Sequence, residues 1–354
     1  MPLSDRENYL RTASLTGGEW IPISVGISGA SWAQWKGEMA KVLLRHPTIF
    51  PRFEDGKIDY EHMEHGPANR EGEAYTDAWG CVWENAWGGM EGQVKVSPLA
   101  DDAAIASYRP PDALTQDDRR PVDWERRRRD AEQAWQEGRL VSGDVAHGFL
   151  LMRLWYLRGF EQLMLDFATE SPLLPKLLDL VAGYNREYVS QWLDIGVDVM
   201  SFGEDLGTQT SSILSPATFR KYIAPIYTSL MQPCRAAGAH VDLHSDGYVM
   251  DLMDIFLECG VSIINPQDIC NGIDNLAREV KGRACIALDI DRQRILPFGT
   301  RSEIRELIKE EVLKLGSPQG GLTFVCGIYP PTPPENLDAL CSALEEFRTY
   351  WAHR

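Results

Sequence analysis

The sequence lacks three features that would place it in a specialised class of protein. Its seven cysteines include no CxxC pair, no long apolar run occurs, and basic residues are too few to balance the acidic ones. A chain of 354 residues can bury a core without covalent cross-links. An odd number of scattered cysteines therefore argues against a disulfide framework and for reduced thiols in a cytoplasmic protein.

The shortage of basic residues excludes further classes of partner. The chain has 35 Lys plus Arg against 52 Asp plus Glu, a formal net charge of −17. Such a surplus repels phosphate backbones and anionic lipid head groups, so we expect neither nucleic acid nor a membrane surface as the main partner. The most apolar stretch, 148–160, is interrupted by Arg153 and Arg158 and is too short to span a bilayer. The first thirty residues predict neither a secretory signal nor a membrane anchor.

What the sequence does contain is a regular alternation of short β-rich runs and helical stretches from about residue 183 onward. This alternation is typical of strand–helix units around a parallel sheet. We expect an α/β fold, a single (β/α)8 TIM barrel over 1–354 with an N-terminal helical and hairpin elaboration, in which one of the eight strands is not recognised. The predicted strands are 20–27, 140–145, 198–203, 239–244, 261–265, 284–289 and 322–327.

Three helices have recognisable starts. Ser215-Pro216 predicts a helix that continues through Ala237, because proline is favoured in the first turn. Thr300, followed three residues later by Glu303, forms a capping box for a helix over 301–315. A Pro-Pro-Glu sequence predicts the start of the last helix, over 336–351.

The stretch 30–139 does not follow the strand–helix rhythm. We interpret it as an insertion that covers the mouth of the barrel. Within it, 75–84 and 93–97 flank a Gly-rich turn and predict a hairpin, and 123–138 predicts a charged helix.

Polar residues gather where the predicted strands end, which is where the active sites of such barrels form. These residues supply one imidazole, one thiol, amides and carboxylates, the ligands of a zinc site with a position left open for substrate. They are Glu204, Asp205, His244, Asp246, Asn265, Gln267, Asp289 and Cys326.

Each candidate ligand also has an ordinary structural interpretation. In extended backbone His244 and Asp246 point to the same face and can share a metal, but Asp246 also precedes a predicted helix over 248–259 that it could cap. Cys326 ends the last strand, where zinc would hold it as a thiolate, or where it packs as a small hydrophobic residue. Glu204 and Asp205 could likewise cap a helix or form salt bridges.

Tryptophan is abundant, with 11 residues. Trp79, Trp83 and Trp87 recur at every fourth position, and Trp155 follows the second predicted strand. Residues at this spacing share a face, so they either line a pocket for a flat aromatic substrate or pack in the core.

A set of short motifs resembles the uroporphyrinogen decarboxylase superfamily. Each is weak alone, but their order along most of the chain is specific. They include Gly203–Gln209 (GEDLGTQ), Ser215-Pro216, His244–Gly247 (HSDG), Gly299-Thr300 and Pro334–Leu337 (PENL). The resemblance implies a (β/α)8 barrel.

The superfamily has two chemistries, and the motifs are closer to one of them. Its decarboxylases resemble one another in an Arg-rich N-terminal motif, whereas 20–35 here contains no Arg or Lys. Its zinc-dependent methyltransferases, which work with a corrinoid protein, share a His-x-Cys and a distant Cys, similar to His244-x-Asp246 and Cys326. Aspartate in place of the first cysteine makes the site harder and favours activation of an oxygen substrate over a thiol.

The resemblance therefore implies an O-demethylating methyltransferase. It would move a methyl group from a methoxylated aromatic substrate to cobalamin on a separate corrinoid protein, assisted by zinc. Glu204 or Asp205 would protonate the departing oxygen. The expected metal ligands are His244, Asp246 and Cys326, with Gln267 or Glu204 as the fourth. The residues expected to bind substrate, from their positions in the sequence, are Trp79, Trp83, Trp155, Asn265 and Asp289.

Two other functions stay open, a metal-independent decarboxylase and a non-catalytic barrel that binds a small molecule or a corrinoid. A homodimer is among the assemblies the sequence allows. The string Asp242–Gly247 also matches the Asp-x-His-x-x-Gly motif of corrinoid-binding domains. Because it falls in a predicted barrel strand and no Ser-x-Leu follows near Asp289, we expect the corrinoid on a partner protein.

Overall fold

The computed structural model describes residues 3–60, 65–352 and 354, so 61–64 of the predicted cap lie outside the described residues. The chain divides into two units. Unit 1 comprises 1–73, 85–92 and 264–354, and unit 2 comprises 74–84 and 93–263. The stretch 30–139 contributes to both units, and its interpretation as a cap over a barrel mouth stays a prediction.

The strands in chain order are β1 (Ile23–Ile27), β2 (Ala74–Thr76), β3 (Val82–Glu84), β4 (Gln93–Val96), β5 (Ser142–Asp144), β6 (Val199–Asp205), β7 (His240–Asp246), β8 (Ile263–Pro266), β9 (Cys285–Asp289) and β10 (Leu322–Ile328). The helices are α1 (Asp5–Ala13), α2 (Gly29–Trp35), α3 (Gly37–Arg45), α4 (Asp102–Ser107), α5 (Trp124–Gln136), α6 (Leu151–Arg158), α7 (Phe160–Ala168), α8 (Leu174–Ile195), α9 (Pro216–Tyr222), α10 (Ala224–Ala236), α11 (Met253–Cys259), α12 (Asp268–Asn271), α13 (Ile273–Glu279), α14 (Ile295–Phe298), α15 (Arg301–Leu315) and α16 (Pro334–Phe347). Short 3-10 helices occur at Pro67–Asn69 and Met250–Leu252.

Parallel strands form the centre of each unit. In unit 1 the order is β1-β10-β9-β8, with β10 parallel to both β1 and β9. In unit 2 the order is β7-β6-β5, again parallel, and β2-β3-β4 form a separate antiparallel sheet. The predicted α/β fold is confirmed, as are all seven predicted strands. The eighth strand of a closed (β/α)8 barrel is not among the described residues.

Helices cover the strands within each unit. In unit 1, α15 and α16 pack together and α3 packs on α16; in unit 2, α10 packs on α8, α11 and β7. Thr300 and Glu303 form the predicted capping box of α15, with Thr300 N donating to Glu303 at 2.7 Å. The last helix ends at Phe347, earlier than the predicted residue 351.

Two predictions of local structure need correction in detail. The helix expected from Ser215 to Ala237 is broken at Ile223 into α9 and α10, because Pro225 lies in the first turn of α10 and has no N–H to continue a helix. The predicted hairpin is confirmed by the antiparallel pairing of β3 with β4. Its first arm, expected over 75–84, is itself two strands, β2 and β3, joined by a turn in which Asp77 accepts a hydrogen bond from Cys81 N at 2.8 Å.

The remaining general expectations concern thiols and membranes. All seven cysteines are free, and all except Cys270 are buried. Within the described part of the chain, no helix combines the length and the apolar composition needed to cross a membrane.

Candidate functional site

The C-terminal ends of β6 and β7 bring together most of the polar residues predicted in unit 2. The two strands pair in parallel, with Gly203 opposite His244 and Asp205 opposite Asp246. Both strands extend two residues beyond their predicted ends, so these side chains belong to the ordered sheet. Regular backbone hydrogen bonding therefore fixes their spacing.

His244 and Asp246 share a face, as their spacing predicted. The Nε2 atom of His244 lies 3.2 Å from Oδ1 of Asp246. The helix expected at 248 begins only with the 3-10 turn at Met250, whose N-cap residue is Val249, so Asp246 is not the N-cap residue of that helix. Asp246 thus lies at the strand end beside an imidazole.

His147 joins this group, although the sequence interpretation did not include it. Its Nε2 lies 3.1 Å from Oδ1 of Asp205, and the rings of His147 and His244 are 5.7 Å apart between centroids. His147, Asp205 and His244 each offer one ligand atom, and these atoms all lie within 4.8 Å of one another. His147 follows closely after the end of β5, so the rule that selected the other strand ends could have found it.

The backbone of β6 provides the space for this histidine. The segment after β5 continues along β6, with Gly148 N donating to the carbonyl of Gly203 at 2.7 Å. A Cβ atom on Gly203 would lie 2.8 Å from Nδ1 of His147. The imidazole therefore rests against a backbone surface that only glycine leaves open.

Glu204 has a different environment from its neighbour Asp205. Its side chain is fully buried and accepts hydrogen bonds from the backbone amides of Leu150, of Leu151 at 2.8 Å, and of Met152 at 3.0 Å, at the start of α6. Burial raises the pKa of Glu204 to about 7, although the bonded amides act in the opposite direction. Glu204 therefore caps α6, which is one of the structural alternatives left open by the sequence.

Asp242 lies below His244 on the same face of β7. One of its carboxylate oxygens accepts a hydrogen bond from Ser201 Oγ at 3.3 Å, while the other is buried without a hydrogen-bond partner. Burial raises the pKa of Asp242 to about 6, although the nearby His244 acts to lower it. A buried carboxylate behind a histidine is the usual support of a metal-bound imidazole.

Unit 1 contains the other predicted ligands and two predicted substrate contacts. Gln267 pairs with Asp289 in a parallel bridge, and its Oε1 accepts from the Cys270 thiol at 3.5 Å. Asp289 is buried at the end of β9 and forms a salt bridge of 2.9 Å with Arg292. Asn265 is buried on β8, where its amide donates to the carbonyl of Ala287.

Cys326 lies on β10 and is shielded from solvent. Its side chain is buried, and burial together with the charge of Asp289 raises the pKa of its thiol well above the usual range. Cys341 and Glu311 are also near enough to raise this pKa. These are the surroundings of a neutral, packed thiol.

The predicted aromatic wall is divided between the core and the surface. Trp79 and Trp83 are buried: Trp79 packs edge to face on Tyr184, and Trp83 Nε1 donates to Asp77 at 3.0 Å. These contacts support core packing over a substrate pocket. Trp87, in unit 1, is 72% exposed. Trp155 is half-buried on α6 and packs against the exposed ring of Phe160.

The strand ends of unit 2 fit a divalent metal of the zinc type. Two imidazoles and two carboxylates offer nitrogen and oxygen ligands, which zinc accepts together. Asp242, two residues before His244 on the same face of β7, has a buried carboxylate oxygen with no hydrogen-bond partner, which is an acceptor of the kind that metal-bound imidazoles use. Three protein ligands would leave a position for a substrate oxygen.

The fold and the site together define a class of protein. Parallel strand–helix units with polar strand ends are typical of an α/β protein with its site at the carboxyl ends of the strands. Residues 150–347, more than half of the chain, match the family model described as Uroporphyrinogen decarboxylase (URO-D). The chain belongs to the uroporphyrinogen decarboxylase family.

Individual relatives are more distant. The methylcobamide:CoM methyltransferase MtbA of Methanosarcina mazei is 25% identical over 183 residues, which cover 51% of this chain and 51% of that protein. The uroporphyrinogen decarboxylase of Thermus thermophilus is 28% identical over 183 residues, covering 49% and 48%. The chain thus spans about half the length of the curated relatives it matches.

A solved structure shows a similar fold over almost the whole chain. It is a methyltransferase from Methanosarcina mazei, with a TM-score of 0.68, 21% identity, and coverage of 98% of this chain and 99% of that one. At this identity the likeness concerns the fold alone.

Proposed function

We propose that the protein is a corrinoid-dependent methyltransferase that takes a methyl group from a methoxylated aromatic compound and passes it to the cobalamin of a separate corrinoid protein, with zinc at the strand ends. The observation that carries this proposal is the pairing of His244 with Asp246 at 3.2 Å at the end of β7. Relatives named as methylcobamide:CoM methyltransferases support the class of reaction.

The chemistry of these ligands favours an oxygen substrate. A zinc ion held by His244 and Asp246 would act as a Lewis acid toward the ether oxygen and stabilise the oxyanion left when the methyl group departs. Carboxylate ligands are harder than thiolates and suit oxygen donors. Cys326 and Gln267, predicted as further ligands, lie in unit 1 and stay predictions.

The two acids predicted to act in catalysis take different parts in this proposal. Asp205 reaches solvent, with 36% of its side chain exposed, whereas Glu204 has none exposed. Of the two acids, only Asp205 is therefore exposed enough to contact a metal ion or the substrate. Glu204 acts as a positioning residue that fixes the start of α6, the helix that carries Trp155.

Aromatic recognition in the proposal rests on Trp155 and not on Trp79 or Trp83, which are buried in the core. The half-buried indole of Trp155 packs against Tyr156 and Phe160, with ring centroids 5.7 and 5.6 Å apart. Such a group offers a flat apolar surface to an aromatic ether. Asn265 and Asp289, predicted as further substrate contacts, stay predictions.

The test is an anaerobic assay with free cob(I)alamin and a panel of methoxybenzenes, in which methylcobalamin formation is followed by absorbance. We expect turnover with zinc-loaded protein and its loss in His244→Ala, with His65→Ala as the matched histidine control. A parallel arm offers methylcobalamin and coenzyme M, the thiol named for the relatives.

Other outcomes would contradict the proposal. Methylation of coenzyme M without demethylation of any ether would assign a thiol substrate. Release of carbon dioxide from a tetrapyrrole or other organic acid by metal-free protein would assign a decarboxylase. Ligand binding with no turnover in any arm would assign a binding protein.

A further inference from the structure

The cluster His147, Asp205 and His244 lies entirely within unit 2, on β6, β7 and the segment after β5. It contains the ligand types that a zinc site uses readily, two imidazoles and a carboxylate. It reaches solvent, since 42% of the His147 side chain and 36% of the Asp205 side chain are exposed. An ion and a substrate can therefore both enter.

The distances suit a single ion. Zinc bonds of about 2.0–2.1 Å in tetrahedral geometry require ligand atoms about 3.3 Å apart. The Nε2 of His147 and Oδ1 of Asp205 are 3.1 Å apart, and the third ligand atom, from His244, lies within 4.8 Å of the other two.

The surroundings show that the cluster is built into the fold. Gly203 leaves room for the His147 ring, since a Cβ there would lie 2.8 Å from its Nδ1. Asp242, with one buried oxygen that has no hydrogen-bond partner, lies two residues before His244 on the same face of β7. The unpartnered oxygen of Asp242 is an acceptor for the outer N–H of a metal-bound His244, and the space at Gly203 admits the His147 ring.

We infer that His147 and Asp205 join His244 as ligands of the metal, so that the site contains no thiol. The inference rests on the proposed function for the presence of zinc. It assigns zinc a different set of ligands from the set predicted by the sequence analysis. Asp205 then acts as a ligand, in place of its predicted role as a proton donor. Cys326 is then a buried thiol that packs in the core and does not bind the metal.

Metal binding tests this without reference to turnover. Zinc content of the full chain is measured by mass spectrometry, and cobalt(II) is then substituted for zinc and its absorption recorded. Because a thiolate ligand gives cobalt(II) an intense near-ultraviolet charge-transfer band, we expect one ion per chain and no such band. His147→Gln and Asp205→Asn should each lower zinc affinity by about tenfold or more.

Matched variants separate ligation from folding. His65→Gln and Asp251→Asn, outside the cluster, should bind zinc like the unmodified protein. Should His147→Gln fail to fold, Gly203→Ala moves the same ring without removing a ligand, and we expect a similar loss of affinity.

The inference is overturned by a charge-transfer band that disappears in Cys326→Ala, by unchanged affinity in His147→Gln, or by the absence of bound zinc. The first two results leave the proposed methyl transfer intact, since they only move the metal to other ligands. Failure of methyl transfer with the expected binding results would instead refute the proposed function alone.

Discussion

Gly203 lies directly against the imidazole of His147, and a Cβ atom at position 203 would lie 2.8 Å from Nδ1 of that ring. A residue that carries no functional group thereby determines where a functional side chain can sit. Gly203 also pairs with His244 on the neighbouring strand, so this one glycine is next to both histidine positions.

Replacing Gly203 with alanine should displace the His147 ring and weaken metal binding. We expect the zinc dissociation constant of Gly203→Ala to rise about tenfold, in the range seen when the support of a metal ligand is lost. Titration with zinc against a chelating dye measures the change. Gly183→Ala is the control, because a Cβ there meets nothing within 4 Å and alanine is favoured in a helix such as α8. Equal affinity in both variants would show that the ring position is unimportant.

Replacing Glu204 should destabilise the protein through α6. Glu204→Ala removes a buried acceptor of three backbone amides, and we expect the free energy of unfolding to fall by about 2–4 kcal/mol. The exposed cap Asp123, which accepts from Arg126 N at 2.8 Å, is the comparison, with a loss of about 1 kcal/mol in Asp123→Ala. Urea unfolding measures both. A Glu204→Gln protein of normal stability with no turnover would instead support a direct catalytic role for Glu204.

Two tryptophans should respond differently to truncation. Trp155→Ala should raise KM for an aromatic ether by up to about tenfold, because a ring contact contributes about 0.5–1.5 kcal/mol. Trp83→Ala should lower the free energy of unfolding by about 3–5 kcal/mol, because the indole is buried. Steady-state kinetics and urea unfolding of both variants separate the two effects. A raised KM in a stably folded Trp83→Ala protein would restore Trp83 to the substrate pocket.

Asp338 should make stability depend on acid pH. Partial burial raises its pKa, but hydrogen bonds from Arg301, Arg45 and His46 outweigh this and lower the pKa to about 2. A lowered pKa gives stability that is present above the unfolded value of 3.8 and is lost as the pH falls toward 2. We expect Asp338→Asn to lower the free energy of unfolding at pH 7 by at most about 2 kcal/mol, since solvent screening reduces the effect.

Urea unfolding at several pH values checks this dependence. The difference between the unmodified protein and Asp338→Asn should shrink as the pH falls from about 4 to about 2. A difference that stays constant over that interval would show that the ion pairs around Asp338 do not carry the stability.

Local signals in the sequence were sufficient to predict much of the fold. Alternating β-rich and helical segments located all seven parallel strands, since buried parallel strands are apolar runs that helices separate. The capping box at Thr300 was also correct, because it depends only on residues three positions apart. The break at Ile223 follows from Pro225, a signal that the favourable helix start at Ser215 obscured.

Only part of the site could be predicted from the sequence. The spacing of His244 and Asp246 fixed their shared face, because it depends on one strand. The position of His147 closely after β5 was available to the strand-end rule, but its contact with Asp205, 58 positions away, was not. The role of Glu204 depends on the amides at the start of α6, of which Leu151 N is 53 positions away. Such long-range contacts leave no pattern in the local sequence.

The most direct test of the proposed reaction is the fate of a labelled methyl group. Zinc-loaded protein is incubated without oxygen with a methoxybenzene that carries a trideuterated methyl group and with free cob(I)alamin, and the cobalamin product is analysed by mass spectrometry. We predict methylcobalamin that carries all three deuterium atoms, together with the corresponding phenol. Unlabelled cobalamin and intact ether, under conditions in which the protein holds its zinc, would contradict the proposed methyl transfer.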